Sequence, residues 1–393
     1  MIVTLRGWGL IAAGVVLLGA GFFFGYPELA LLGAIALVAV LFALGHAAMR
    51  PELAVKRAVD PDRVSRGEGS TVTLTIRNIG RFGAATLVAH DRCGWGTQSS
   101  ATVPVPLLRL RRGKETDVSY PVPTTRRGVV HVGPLQITRR DPLGLVSFTR
   151  GHGETSQIWV YPKAHLIQAV PAGISRSLDG RLDRVPHGAI TFDTLREYVI
   201  GDELRHVHWR TSARVGELMV REHVDTSLPR LVVLLDDRIG SWPKFDGMTC
   251  DEFESACEAA ASIITAAVRE DLPVTLQLVS GTAAGAGKVR GSARGLLDLL
   301  AEAGLETREE QALVTAANRL RQYRPGDTLI YLTGTGGHPD LALVTGLRGP
   351  FPSVAIGMLG PRTAEEPESV GVLMLRAEDG EEFAAVWDGV SRW

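Results

Sequence analysis

The 393-residue sequence has almost no excess of either charge: 42 basic residues stand against 43 acidic ones, for a formal net charge of -1. That balance removes the electrostatic basis for a general nucleic-acid binder. Cysteine is scarce as well. Cys93, Cys250 and Cys257 form an odd set without CxxC spacing, so neither a disulfide framework nor a zinc module follows. They read as buried thiols in a reducing compartment. Familiar catalytic motifs are also missing, since the chain holds no GxSxG, HExxH or GxGxxG. The glycine-rich run Gly281 to Lys288 follows a strand pattern, but a phosphate loop would need glycine at Thr282 and Ser or Thr at Val289. It reads as a flexible loop, and no cofactor is implied.

What the chain does hold is two long uncharged runs near its N-terminus. Trp8 to Phe24 carries no charge and has glycines at Gly9, Gly14, Gly19 and Gly21. Leu29 to Met49, interrupted only by His46, exceeds the roughly 20 residues needed to cross a hydrocarbon core. Tyr26-Pro27-Glu28 makes a poor signal cleavage site, so a helical hairpin over 1–50 fits better than a leader. Gly14, Ala20, Gly21, Gly33 and Ala34 would let the two helices approach closely. His46 is expected at the interface. Arg6 before the hairpin, and Arg50, Lys56, Arg57, Arg63 and Arg66 after it, predict a multi-pass cell-membrane protein with both termini cytoplasmic.

The length leaves room for two further units. Over 51–162 the pattern turns to short alternating runs: Leu53 to Val59, Thr71 to Ile76, Ala85 to Ala89 and Asp117 to Val122. Val72, Leu74 and Ile76 alternate with Thr71, Thr73 and Thr75, as a half-buried strand requires. Turns are expected at 66–69, 78–80 and 112–113. With no convincing helix before residue 190, these runs predict an antiparallel β-sandwich of immunoglobulin-like architecture. Prolines 104, 106, 121 and 123 belong at its edges or corners, because each lacks an amide donor.

Over 230–393 the pattern predicts a doubly wound α/β domain. Leu231 to Leu235 is a continuous apolar run ending at Asp236 and Asp237, suited to a strand covered on both faces. Thr249 and Glu252 have capping-box spacing, and Phe253, Cys257, Ala260, Ile264 and Ala267 recur on one helical stripe. Strands at Val274 to Val279, Thr328 to Thr333 and Ser353 to Met358 alternate with helices at Leu296 to Ala303 and Gln311 to Gln322. After a linker over Pro361 to Gly371, the short runs Val372 to Leu375 and Phe383 to Trp387 suggest a closing hairpin.

Between these units, 163–229 reads as a linker carrying an unusual segment, Leu195 to Glu222. Its Arg196, Tyr198, Gly201, Asp202, Arg205, His208, Trp209, Ser212, Arg214, Gly216, Arg221 and Glu222 closely resemble the signature of the bacterial membrane proteins grouped as domain of unknown function family 58. Asp141-Pro-Leu-Gly-Leu145 and Tyr161-Pro162 resemble that family too. The resemblance implies no established activity, a second domain similar to von Willebrand factor type A, and association with MoxR-type AAA+ ATPases. A type A domain holds a divalent metal through an Asp-x-Ser-x-Ser loop. Here Arg238 and Gly240 stand at the serine positions after Asp236, and Thr333-Gly334 replaces Thr-Asp-Gly. The metal site is therefore expected to be lost or severely weakened, with Arg238 placing positive charge where the cation would sit.

Five arginines against six acids between Arg196 and Asp225 suggest ion pairing. One reading is a structural clamp with Trp209 as apolar anchor and Tyr198 and His208 hydrogen bonded. The other is a surface for a partner or an anionic ligand, formed by Arg196, Tyr198, Asp202, Arg205, His208, Trp209, Arg214, Arg221 and Glu222. His206 and His208 diverge at i, i+2 on a helix and find no third metal ligand. The functional expectation is a membrane-anchored, non-enzymatic scaffold working through protein–protein interaction with a MoxR-type ATPase. The alternative is an enzyme or sensor binding an anionic ligand at Arg196, Asp202, Arg205 and His208.

Overall fold

The computed structural model describes residues 2–48, 53–79, 85–95, 99–110, 113–141, 143–168, 170, 175–176, 182–183, 193–198, 207–223, 230–243, 245, 250–286, 293–307, 311–323, 326–361 and 372–390. The chain divides into two compact units, Met1–Val160 and Tyr161–Trp393.

The first unit begins with strand β1 (Ile2–Val3), which runs through Thr4 into helices α1 (Leu5–Phe24) and α2 (Pro27–Ala48). Both helices are long and apolar enough to cross a membrane. They form the expected hairpin because glycines remove side chains where the backbones meet. A Cβ added at Gly33 would lie 2.6 Å from the Leu18 amide nitrogen. Of the other small residues, Gly14 and Gly21 are buried in this contact, whereas Ala34 is exposed.

Strands β2 (Leu53–Asp60), β3 (Arg63–Ser65), β4 (Ser70–Asn78), β5 (Ala85–Trp95), β6 (Ser99–Leu110), β7 (Glu115–Val122), β8 (Gly128–Val132), β9 (Leu135–Arg140), β10 (Val146–His152) and β11 (Ser156–Tyr161) follow. One sheet has the order β2-β4-β7; the other runs β1-β10-β9-β5-β8-β11-β3, with β6 paired to β5. Val72, Leu74 and Ile76 of β4 are fully buried, and they share one apolar cluster with Ala89, Cys93, Val130, Val132 and Ile158 of the larger sheet. Each such side chain contributes about 1.5–3 kcal/mol by leaving water. Pro104 and Pro106 lie in β6 and Pro121 in β7, each a strand with one paired neighbour among the described residues. There the missing N–H costs no ladder bond.

Within this core lies an ion pair that periodicity does not reveal. Arg57 donates from Nη2 to both Asp91 carboxylate oxygens at 2.9 and 2.8 Å, and the Tyr120 hydroxyl donates to the same carboxylate. At the other end of the unit, β1 pairs with β10, and Thr4 Oγ1 donates to Gly144 O at 2.8 Å. The Asp141 carboxylate accepts the amides of Leu143 and Val146 at 2.8 and 2.6 Å. Leu145 and Val146 pack against Val40 and Ala43 of α2. Asp141 and residues 143–146 thus brace the sheet to the hairpin.

The second unit contains the two-residue strands β12 (Ser175–Arg176) and β13 (Leu182–Asp183), then β14 (Asp193–Glu197), α3 (Trp209–Val215) and β15 (Met219–His223). Next come β16 (Leu231–Leu235), α4 (Asp251–Arg269), β17 (Val274–Leu278), β18 (Ala283–Ala286), α5 (Ala293–Glu302), α6 (Ala312–Tyr323), β19 (Thr328–Gly334), α7 (Leu341–Thr345), β20 (Ser353–Leu359), β21 (Leu373–Ala377) and α8 (Gly380–Asp388). The main sheet has the order β18-β17-β16-β19-β20-β21, parallel except for β18. Leu231, Val233 and Leu235 pack with α4, α5 and α8, while Val232 and Leu234 pack on the other face with α6 and α7. Two covered faces are why this strand is apolar at every position. Phe253, Cys257, Ala260, Ile264 and Ala267 are all buried, as their stripe requires.

Four local expectations change. Phe383 to Trp387 forms α8 instead of a hairpin strand, and β21 joins β20 in parallel. Asp379 caps α8 by accepting the Glu382 amide at 2.8 Å, Glu382 reaches back to the Glu378 amide at 2.7 Å, and the Phe383 and Trp387 rings stack one turn apart. The glycine-rich run is not a loop throughout, because Ala283–Ala286 pairs antiparallel with β17; Gly287, Lys288 and Val289 lie outside the described residues. Helix α4 starts at Asp251 with Cys250 as its cap and no capping side-chain bond, while Thr249 lies outside the described residues. The stretch read as the start of a linker is fastened to this unit. Ile167 and Val170 enter its core, the His165 amide donates to Ser262 Oγ at 2.8 Å, and Arg269 Nη2 donates to Ile167 O at 2.6 Å.

Candidate functional site

The signature segment folds as an antiparallel pair with a short helix in its connection. Strand β14 faces β15 with Thr194 opposite Glu222, Leu195 opposite Arg221 and Arg196 opposite Val220. The connection is closed by main-chain bonds from Tyr198 N to Leu218 O (2.7 Å) and from His208 N to Met219 O (2.8 Å). His208 caps α3: its Nδ1 accepts the Thr211 amide at 3.3 Å and lies 2.7 Å from Thr211 Oγ1. Ser212 is buried, accepts the Met219 amide at 2.8 Å and donates to His208 O at 3.2 Å, so it staples the helix to β15. Gly216 ends the helix in the left-handed region at φ 84°, where L side chains are strained. Structural reasons therefore cover His208, Ser212 and Gly216.

The exposed face of the segment is different. Trp209 is 64% exposed, Val215 57% and Leu218 42%, so Trp209 is not the buried anchor anticipated from its size. Arg210, Arg214 and Glu217 are exposed around them, without ion pairs among the described residues. Asp202, Arg205, Gly201 and His206 lie outside the described residues, and for Arg196, Arg221 and Glu222 the register is described.

A second cluster forms at the carboxyl end of β16, beside the point where the strand order reverses between β16 and β19. Asp236 is fully buried. Arg238 grips its carboxylate with Nε to Oδ1 at 2.9 Å and Nη2 to Oδ2 at 2.7 Å. The hydroxyls of Ser241 (2.7 Å), Tyr331 (2.6 Å) and Thr333 (2.9 Å) all donate to Oδ2. Arg238 Nη2 also reaches Asp340 Oδ2 at 2.7 Å, and Trp242 Nε1 donates to the Asp236 carbonyl at 3.0 Å. Burial pushes the Asp236 carboxyl up, but the hydrogen bonds and charge of Arg238, with Ser241 and Tyr331, leave it below its ordinary value. Burial and the Asp236 charge raise the Tyr331 hydroxyl, keeping it a donor.

The guanidinium thus supplies the positive charge between Asp236 and Asp340. Gly240 lies in the 3-10 turn at Ile239–Ser241 and contributes no side chain. Ser241, one residue beyond the expected serine position, supplies the hydroxyl instead. Tyr331 and Asp340 were not anticipated. Tyr331 sits inside a strand and Asp340 comes 102 positions after Arg238, so only its acidity next to a short helix could have drawn attention. Neighbouring Asp237 has no cation among the described residues: burial pushes its carboxyl up, and its Oδ1 accepts the Ser280 amide at 2.8 Å. Among the described residues, no group of three or more His, Cys, Asp or Glu side chains could hold a metal ion.

Several known proteins resemble parts of this chain. The uncharacterized protein YeaD of Bacillus subtilis (strain 168) is 26% identical over 213 residues, 53% of this chain and 51% of the relative. The chain therefore spans about half the length of the curated relative it matches. Among solved structures, the CARDB domain of a Pyrococcus furiosus protein is 17% identical, covering 28% of this chain and 88% of that one, with a TM-score of 0.20. The putative ApaA protein of Bordetella pertussis is 16% identical, covering 28% and 94%, also with a TM-score of 0.20. Residues 194–327, from β14 to the threshold of β19, match the family described as "Protein of unknown function DUF58". Through that segment, the chain is similar to the DUF58 family.

Proposed function

We propose that the protein is a membrane-anchored, non-enzymatic scaffold whose signature segment docks a protein partner, and that the partner is an AAA+ ATPase of the MoxR type. The observation that carries this reading is the outer face of α3, where Trp209, Val215 and Leu218 are exposed beside Arg210 and Arg214. Tryptophan and arginine are the side chains that most often dominate protein interfaces, and among the described residues neither arginine has an ion pair. An acidic, partly apolar surface complements this face. The ATPase is the partner implied by the family resemblance.

In this reading α1 and α2 cross the cell membrane, and the arginine and lysine bias puts both termini in the cytoplasm. The two sheets of the first unit form an immunoglobulin-like sandwich. The second is a type A-like domain whose cation is replaced by Arg238. The alternative, an anionic ligand at Arg196, Asp202, Arg205 and His208, would need His208 to leave the Thr211 cap.

The test is affinity purification from detergent-solubilised membranes, comparing the native chain with a Trp209→Ala, Arg214→Glu variant. Both positions are exposed, so the variant should keep its fold. Recovery of a MoxR-type ATPase with the native chain alone is expected. Equal recovery from both, or none from either, would overturn the reading.

A further inference from the structure

A cleft of about 420 Å³ opens at the carboxyl ends of β16 and β17, on the face covered by α6. This end of an open α/β sheet is where ligands are usually bound, and the volume is in the range of small-molecule sites. The main chain holds its walls. The Val279 amide donates to Leu235 O at 3.0 Å, the Glu306 amide to Asp237 O at 2.8 Å and the Ile239 amide to Glu306 O at 3.2 Å. Val279, Ser280 and Thr307 are therefore locked to the loop after β16. The opposite wall is one face of α6, where Ala312, Thr315, Ala316 and Arg319 recur at helical spacing. The two alanines leave the space that larger side chains would fill.

The chemistry of the lining is polar and cationic. Ser280, Thr307, Gln311 and Thr315 contribute hydroxyl and amide groups, and Arg319 contributes the charge. Arg319 has no ion pair among the described residues, in contrast to Arg238 with its two carboxylates. Its position is provided for by Gly281, whose φ of 106° lies in the left-handed region. A Cβ there would come 2.9 Å from Arg319 Nη1. Gln311 and Ala312 mark the start of α6, so the positive end of the helix dipole also faces the cleft. The buried Asp237 carboxylate accepts the Ser280 amide through Oδ1.

We propose that this cleft binds a small anion through a carboxylate or phosphate group clamped by Arg319, with the Thr307 hydroxyl and Gln311 amide completing the contact. A guanidinium fork matches either group. The site is separate from the docking face of α3 and stands whether or not that face binds a partner.

The test is titration of the full chain in detergent micelles with inorganic phosphate and, separately, succinate, read by heat of binding and thermal stabilisation. Arg319→Gln and Gly281→Ala are compared with Arg348→Gln, an exposed arginine that controls for net charge. Saturable binding of at least one probe, with Kd on the order of 1 mM, is expected for the native chain and Arg348→Gln. Arg319→Gln should bind at least about tenfold more weakly, and Gly281→Ala should weaken binding with the charge retained. Binding of phosphate alone assigns a phosphoryl ligand, and of succinate alone a carboxylate ligand. No saturable binding of either probe, or equal binding by Arg319→Gln, would overturn the proposal.

Discussion

Replacing Arg238 with alanine should unmask the cost of the buried Asp236 carboxylate. The Asp236 side chain is fully buried and that of Arg238 is 11% exposed, so water screens the pair poorly. Removing one partner of such a pair costs about 3–5 kcal/mol, because the remaining charge is left without compensation. Three hydroxyls, from Ser241, Tyr331 and Thr333, still donate to the carboxylate and place the expected loss at the lower end of that range.

The pH dependence follows from the direction of the shift. In the native chain Asp236 sits below its ordinary value, so its contribution is present above the unfolded pKa and is lost as pH falls through the folded one. Without Arg238 the upward push of burial dominates, and the variant's folded pKa rises above the unfolded value. Protonation then favours the folded variant, and the stability gap between the two chains should narrow on acidification from pH 7 toward pH 4. Hydrogen exchange of the β16 and β19 amides, compared at each pH, reads this locally. At pH 7 the opening constants should differ by roughly two orders of magnitude or more. A double variant Asp236→Asn, Arg238→Met should lose less than Arg238→Ala, since no buried charge is stranded. A loss below about 1 kcal/mol at pH 7, or a gap that does not narrow with acid, would refute the reasoning.

Calorimetric titration of the full chain with magnesium should give no saturable micromolar binding, because the Arg238 guanidinium fills the space between Asp236 and Asp340; a saturable isotherm would contradict that arrangement. Cys93 is buried, and burial with the Asp91 charge pushes its thiol up to about 11. Iodoacetamide at pH 8 should therefore leave it unlabelled until denaturant opens the first unit, and rapid labelling of the folded chain would count against the described core. Gly33→Leu should destabilise the helical hairpin by about 1–3 kcal/mol, whereas Gly9→Leu, where an added Cβ meets nothing within 4 Å, should not. Thermal unfolding in micelles compares them, and equal shifts would mean that backbone approach at Gly33 is not what holds the hairpin.

Local periodicity along the chain was enough for several elements. The two uncharged runs had the length and composition of membrane-crossing helices, and the alternation of Val72, Leu74 and Ile76 announced a strand with one buried face. The unbroken Leu231 to Leu235 run announced a strand with two. In each case the solvent on either side of one element dictates the spacing of its apolar residues, so the pattern is written in adjacent positions. The same holds for His208, Ser212 and Gly216, whose cap, staple and helix stop act within a dozen residues.

Contacts between distant segments were not legible in this way. The sequence marked Asp236 and Arg238 as opposite charges two positions apart, but which hydroxyls and which second carboxylate surround them depends on the parallel pairing of β16 with β19. That pairing brings Tyr331 and Thr333 beside Asp236, and the turn that follows brings Asp340. Trp209 has the size of a core anchor, yet Ser212 and His208 tie α3 down by its other side and leave the indole in solvent. Phe383 and Trp387 fit a short strand equally well until the Asp379 cap and the α4 surface beneath them select the helix. What a residue touches is decided by where its element docks, and that depends on segments too far away for any periodicity to record.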